Sequence, residues 1–279
     1  MNMRTKLFMM IVCVMIALSC DNNQQDPTPS NIDKEVILPE INRIRKPITF
    51  NGTFYSITNL GSININYTQG PHSIEFEGDS IMMQYVETKF DSGILTVNLR
   101  GENKHDLEWD SKISDVKLHI SSPSLMYVAV CGSGDFTSTS KITSEKLHIG
   151  TLGSGQIKFD SISCKSLRYE QNGPGNTLFK EVICDNASVL LNSTGLFRMN
   201  TNTKSLYTSV MGKSDSIEIK CKADMAEIII TGENSAIFDL NVNDLKASVQ
   251  GTSTLTLKGE ATRKKFNRST RATINSMLK

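Results

Sequence analysis

Between residues 132 and 253 a short glycine-bearing motif recurs with an almost constant period. It reads Gly132-Ser-Gly134, Gly153-Ser-Gly155 and Gly173-Pro-Gly175, then loosens to Ser193-Thr-Gly195, Gly212-Lys-Ser214, Gly232-Glu-Asn234 and Gly251-Thr-Ser253. The first positions lie 21, 20, 20, 19, 20 and 19 residues apart. A fixed period of this length marks a repeat architecture, in which each repeat is one structural unit packed on the next. Two apolar rows keep the same beat. One is Leu147, Leu167, Ala187, Leu206, Ala226 and Leu245; the other is Phe159, Phe179, Met199, Ile219, Phe238 and Leu257.

Between the glycine marks the chain alternates apolar and polar, as in Ile157-Lys-Phe159 and Leu255-Thr-Leu257. That is the two-residue period of a strand, and the abundant Thr, Ser and β-branched residues suit a pleated surface. The spacing predicts an all-β fold, a right-handed parallel β-helix or β-solenoid with ~20-residue coils. Each coil supplies two or three short strands, and equivalent residues of successive coils stack about 4.8 Å apart. One coil alone cannot bury its apolar face, and stacking solves that. Glycine suits the corners, by φ > 0 or close approach, and Ser, Asn and Asp can take such corners too. A sandwich with evenly spaced hairpins also matches short regular strands; the constant period and the in-phase rows favour the solenoid.

Residues 35–124 are also β-rich, with a less regular period. Ser62–Tyr67, His72–Glu77 and Gly93–Leu99 alternate well, and Gln69-Gly-Pro71, Gly78-Asp79 and Asp91-Ser-Gly93 are turn signals. The order of these segments, followed by the Gly-Ser-Gly coils, resembles the family known as the putative auto-transporter adhesin, head GIN domain, over roughly residues 40–260. The resemblance implies a β-helical protein of the bacterial surface or periplasm, without an assigned chemistry.

The first residues give an address. Arg4 and Lys6 precede an apolar run, Leu7–Leu18, and Ala17-Leu-Ser-Cys20 follows. The run falls short of the ~20 apolar residues that span a bilayer. A basic start, a short apolar stretch and a small-residue cleavage site describe a secretory signal, and the cysteine in that position resembles the lipobox of bacterial lipoproteins. Residues 1–19 are therefore read as a lipoprotein signal peptide, with Cys20 as the lipidated residue. Each buried acyl CH₂ contributes roughly 0.8 kcal/mol to anchoring, and stable anchoring takes more than one chain. Residues 20–34 are polar with two prolines and form a tether too poor in apolar surface to order itself. The expected location is the outer membrane, facing the periplasm or the cell surface, with the membrane as a partner through the lipid.

Net charge is +1, so no nucleic-acid partner is expected. Of the six cysteines, Cys13 leaves with the signal and Cys20 takes lipid. Cys131, Cys164, Cys184 and Cys221 form no Cys-x-x-Cys pair and have no histidine at ligand spacing, so no metal or other cofactor is expected. Cys164 and Cys184 lie 20 apart, on adjacent coils of the predicted register. They form either a disulfide or a stacked pair of core thiols, and parallel side chains favour the thiols.

No nucleophile elbow, phosphate loop or zinc-protease helix is present. His72, His105, His119 and His148 have no partner near in sequence and read as exposed strand histidines. The segment His105-Asp106-Leu-Glu108-Trp109-Asp110 gathers three carboxylates around the only tryptophan. Trp109, Asp106, Glu108 and Asp110 are the local candidates for contact with a ligand, a sugar above all; a surface loop that buries one side of Trp109 is the plainer reading. Residues 261–279 hold Arg263, Lys264, Lys265, Arg268, Arg271 and Lys279. This basic stretch reads as a cap on the last coil edge, or as a contact for anionic lipid or glycan.

These features order three functions. First is a non-catalytic surface for adhesion or cell-envelope interaction, with a glycan or envelope protein as partner. A glycan-binding module is second, and an enzyme acting on polysaccharide is third, since that needs converging carboxylates.

Overall fold

The structure, a computed structural model, describes residues 42–100, 112, 113 and 115–279. Its strands in chain order are β1 (Arg43–Pro47), β2 (Ser56–Asn59), β3 (Asn64–Gln69), β4 (Ser73–Asp79), β5 (Val86–Asp91), β6 (Ile94–Leu99), β7 (Lys117–Ser122) and β8 (Tyr127–Val130). They continue as β9 (Phe136–Thr151), β10 (Ile157–Gln171), β11 (Thr177–Leu191), β12 (Phe197–Val210), β13 (Lys213–Gly251), β14 (Thr254–Arg268) and β15 (Thr273–Leu278). Together they form a β-solenoid of about eight turns with ~20-residue coils.

From β8 upward every pairing is parallel. Leu147 pairs with Leu167, Leu167 with Ala187, Ala187 with Leu206 and Leu206 with Ala226. Phe159 stacks on Phe179, Phe179 on Met199 and Met199 on Ile219, and Phe238 pairs with Leu257. Both apolar rows are buried throughout. Each Leu or Phe taken from water contributes about 1.5–3 kcal/mol, so the rows hold the coils in one register. An aromatic spine climbs through Tyr67, Phe136, Phe159, Phe179 and Phe197, with neighbouring ring centres 5.5–6.0 Å apart.

The glycine marks stack into a column. A Cβ on Gly153 would overlap the carbonyl oxygen of Gly132 in the coil beneath. Close approach of two backbones therefore demands glycine there, rather than an unusual dihedral. Higher in the column Gly232 adds φ = 116° to the same crowding. Where glycine is replaced, the side chain serves the corner: Ser193 Oγ donates to Gly173 O at 2.5 Å and accepts from Gly195 N at 2.9 Å.

The N-terminal region belongs to the same stack, threaded out of order. β2 lies between β6 and β8, and β3 between β7 and β9, all in parallel. Gly61-Ser62 thus sits directly beneath Gly132-Ser133, with Ser133 Oγ donating to Ser62 Oγ at 2.9 Å. After β3 the chain runs back: β4 pairs antiparallel with β7 and β1, and β5 antiparallel with β6. This reversed layer is the base. At the end of β4, Asp79 Oδ2 lies 3.8 Å from Lys112 Nζ, with the side chains 1% and 9% exposed.

The opposite end is built differently. β15 covers only the first part of β14. Over the rest, Lys264 stands on Leu245, Phe266 on Ala247 and Arg268 on Val249. Two charged side chains thus occupy the last rung of columns that are apolar below.

Candidate functional site

Cys20, Asp106, Glu108, Trp109 and Asp110, together with His105, lie outside the described residues. The other histidines have partners that sequence distance hides. His119 Nε2 is 2.7 Å from Glu77 Oε2, 42 positions away; this contact and Arg43 hold the Glu77 carboxyl below its usual range. His148 lies edge-on to Tyr127 at 5.1 Å, and burial lowers its pKa. His72 Nε2 meets the backbone of Phe54, 3.1 Å from the nitrogen and 3.0 Å from the oxygen. These are half-buried or buttressed histidines rather than freely exposed ones, with His119 and His148 in strands and His72 just before β4.

Cys164 and Cys184 are register partners on β10 and β11, and both are free thiols. Their mutual contact raises the pKa of Cys164 and lowers that of Cys184. Burial pushes the thiol of Cys221 up to about 12. Among the described residues no three His, Cys, Asp or Glu side chains are arranged to hold a metal ion.

A shallow concave strip runs along the stack on β11 to β14. Two hollows of about 530 and 360 Å³ adjoin there and share Asn200, Lys220 and Asp239. The strip runs past a bend near Val182, where the β11–β12 register shifts between Phe179 and Val182. Outward positions recur every coil, so five coils place a column from Lys180 through Asn200, Lys220 and Asp239 to Lys258. At about 4.8 Å per coil the column is roughly 19 Å long.

Charges on the strip pair from coil to coil. Lys180 meets Asp160 at 2.8 Å, Arg198 meets Glu218 at 2.9 Å and Lys220 meets Asp239 at 4.0 Å. Each exposed pair is worth about 0–1 kcal/mol, so their main effect is to fix side-chain direction. Glu218 and Asp239 are each matched to a cation. The strip is suited to contact along its length.

The family described as "Putative auto-transporter adhesin, head GIN domain" matches residues 53–260. The chain belongs to this family. Its head GIN fold recurs in solved structures. A putative adhesin from Parabacteroides merdae is 20% identical, with a TM-score of 0.70 over 84% of this chain and 96% of that one. Another from Parabacteroides distasonis is 17% identical, with a TM-score of 0.72 over 85% and 98%. A putative lipid binding protein, also from P. distasonis, is 16% identical, with a TM-score of 0.57 over 85% and 97%. At these identities the likeness is one of fold. No curated protein matches the chain. In this head GIN protein no residue of the strip is chemically distinctive in sequence; only the 20-residue period gathers them.

Proposed function

We propose that this head GIN protein is a non-catalytic lipoprotein of the outer membrane, tethered through Cys20, that presents its solenoid for adhesion. The observation that carries the reading is the ladder of outward side chains: stacked coils turn single positions into continuous rows that a partner can follow. The family and the adhesins of like fold support an adhesive role, and the signal-like start with its lipobox cysteine supports the anchor. The lipid-binding relative suggests another ligand, but the interior columns here are filled by packed Phe, Leu, Ile and Val side chains, which leaves a lipid chain no apolar space among the described coils.

The test combines fatty-acid labelling with attachment. Cells producing the native chain should incorporate labelled palmitate into it, and Cys20→Ala should abolish the label. Cells lacking the protein should attach less well to host or biofilm surfaces. Label retained in Cys20→Ala contradicts the anchor, and unchanged attachment contradicts the adhesive role.

A further inference from the structure

We propose that the strip on β11 to β14 binds an extended anionic polysaccharide lying along the solenoid axis. This deepens the adhesive reading of the same surface and rests on it.

Three features of the strip set the chemistry. First, unpaired donors face outward. Among the described residues, Lys222 and Lys258 have no acidic partner, and the side-chain amides of Asn200, Asn202 and Asn241 make no hydrogen bond, while all five line the two hollows. The amides can exchange hydrogen bonds with hydroxyls, and the ammonium groups can meet carboxylate or sulfate. Second, the charge is unbalanced. Lys180, Arg198 and Lys220 are matched by acids; Lys222 on the middle coil and Lys258 on the last outnumber the one remaining acid, Glu181, which accepts from Ser161 Oγ rather than from a cation. Third, Ile183 and Ile237 are 46% and 37% exposed beside these polar groups. Apolar patches among hydrogen-bonding groups suit a sugar ring, which has C–H faces and polar edges.

The geometry favours a chain over a small molecule. The strip is open and roughly 19 Å long, so it cannot enclose a monosaccharide, but it repeats similar contacts along a line. Contacts linked in one ligand act at high effective concentration, so weak subsites sum to useful affinity. The backbone that carries them is already hydrogen-bonded to its neighbours, which limits the ordering cost on binding. A polyuronate, with one carboxylate per ring, matches the sign of the surplus charge and can extend from Lys222 to Lys258.

The test uses the full-length protein in detergent and affinity electrophoresis in gels containing polygalacturonate, with neutral dextran as control. The native protein should be retarded by polygalacturonate and not by dextran, and the retardation should weaken as salt screens it. Lys222→Glu combined with Lys258→Glu should reduce the affinity at least tenfold. Lys246→Glu with Lys265→Glu carries the same charge change to another face and should leave the affinity within twofold; circular dichroism checks that both variants fold. No retardation by polygalacturonate, or equal losses in the two double variants, overturns the proposal. The adhesive reading fails separately: cells lacking the protein would attach normally while the purified chain still bound polygalacturonate.

Discussion

Gly153 shows how much one position can depend on its neighbour in the stack. Its hydrogen lies against the carbonyl of Gly132, where any side chain collides with backbone. Gly153→Ala should therefore cost about 1–3 kcal/mol, as overpacking does elsewhere. Gly70→Ala, where nothing lies within 4 Å of the added carbon, should be close to neutral. Urea denaturation of the two variants checks the contrast. Two titrating groups give a pH signature. Burial holds the pKa of His148 below its ordinary 6.5, so the folded state favours the neutral ring. That contribution is complete above pH 6.5 and is lost as pH falls through the folded value. His148→Asn should flatten the stability profile below pH 6.5. Glu77, held low by His119 and Arg43, contributes above the ordinary carboxylate range and loses it at lower pH. The glycine requirement was legible in the sequence because seven marks share one period. The His119–Glu77 contact was not, because it joins antiparallel strands of the base whose pairing no local pattern encodes.

The two ends of the stack follow different designs. At the base, sequence order and stacking order part company: Asp135 N donates to Asn64 Oδ1 at 3.0 Å across 71 positions. A period search finds coils that follow one another and misses a rung inserted between later strands, which is why residues 35–124 looked irregular. The base also buries the Asp79–Lys112 pair. Asp79 also accepts from Ile81 N at 2.9 Å, so Asp79→Ala removes the acceptor of that amide and one side of the buried pair, and should cost about 1–3 kcal/mol by thermal or chemical denaturation. At the far end Lys264 and Arg268 occupy columns that are apolar one coil below. Inward-pointing charge is a known way to keep an open sheet edge from recruiting another chain. Lys264→Leu with Arg268→Leu should extend the apolar columns to the edge and shift the protein toward larger assemblies in light scattering. An unchanged mass would mean that other features block the edge.

At the scale of the molecule, the period converts sequence distance into height. Residues 20 apart become neighbours, and residues a hundred apart share one outer row. That conversion was legible from Leu147, Phe159 and their repeats, which pair in the structure as their spacing implied. The strip was not legible, because Asn200, Lys222 and Lys258 are ordinary surface residues until the bend near Val182 brings their rows together. Both the adhesive reading and the polysaccharide strip depend on each coil climbing one strand spacing. Outward positions Thr137, Lys158, Leu178, Arg198 and Glu218 follow one another in register, as do Ile237, Thr256 and Asn275. Spin labels attached through ketone amino acids at positions 137 and 275 should therefore stand seven spacings apart, about 34 Å. Pulsed electron resonance should give one narrow distance near that value, widened only by the label arms. A short or broad distribution would mean that the coils do not stack in this order, and would contradict the account.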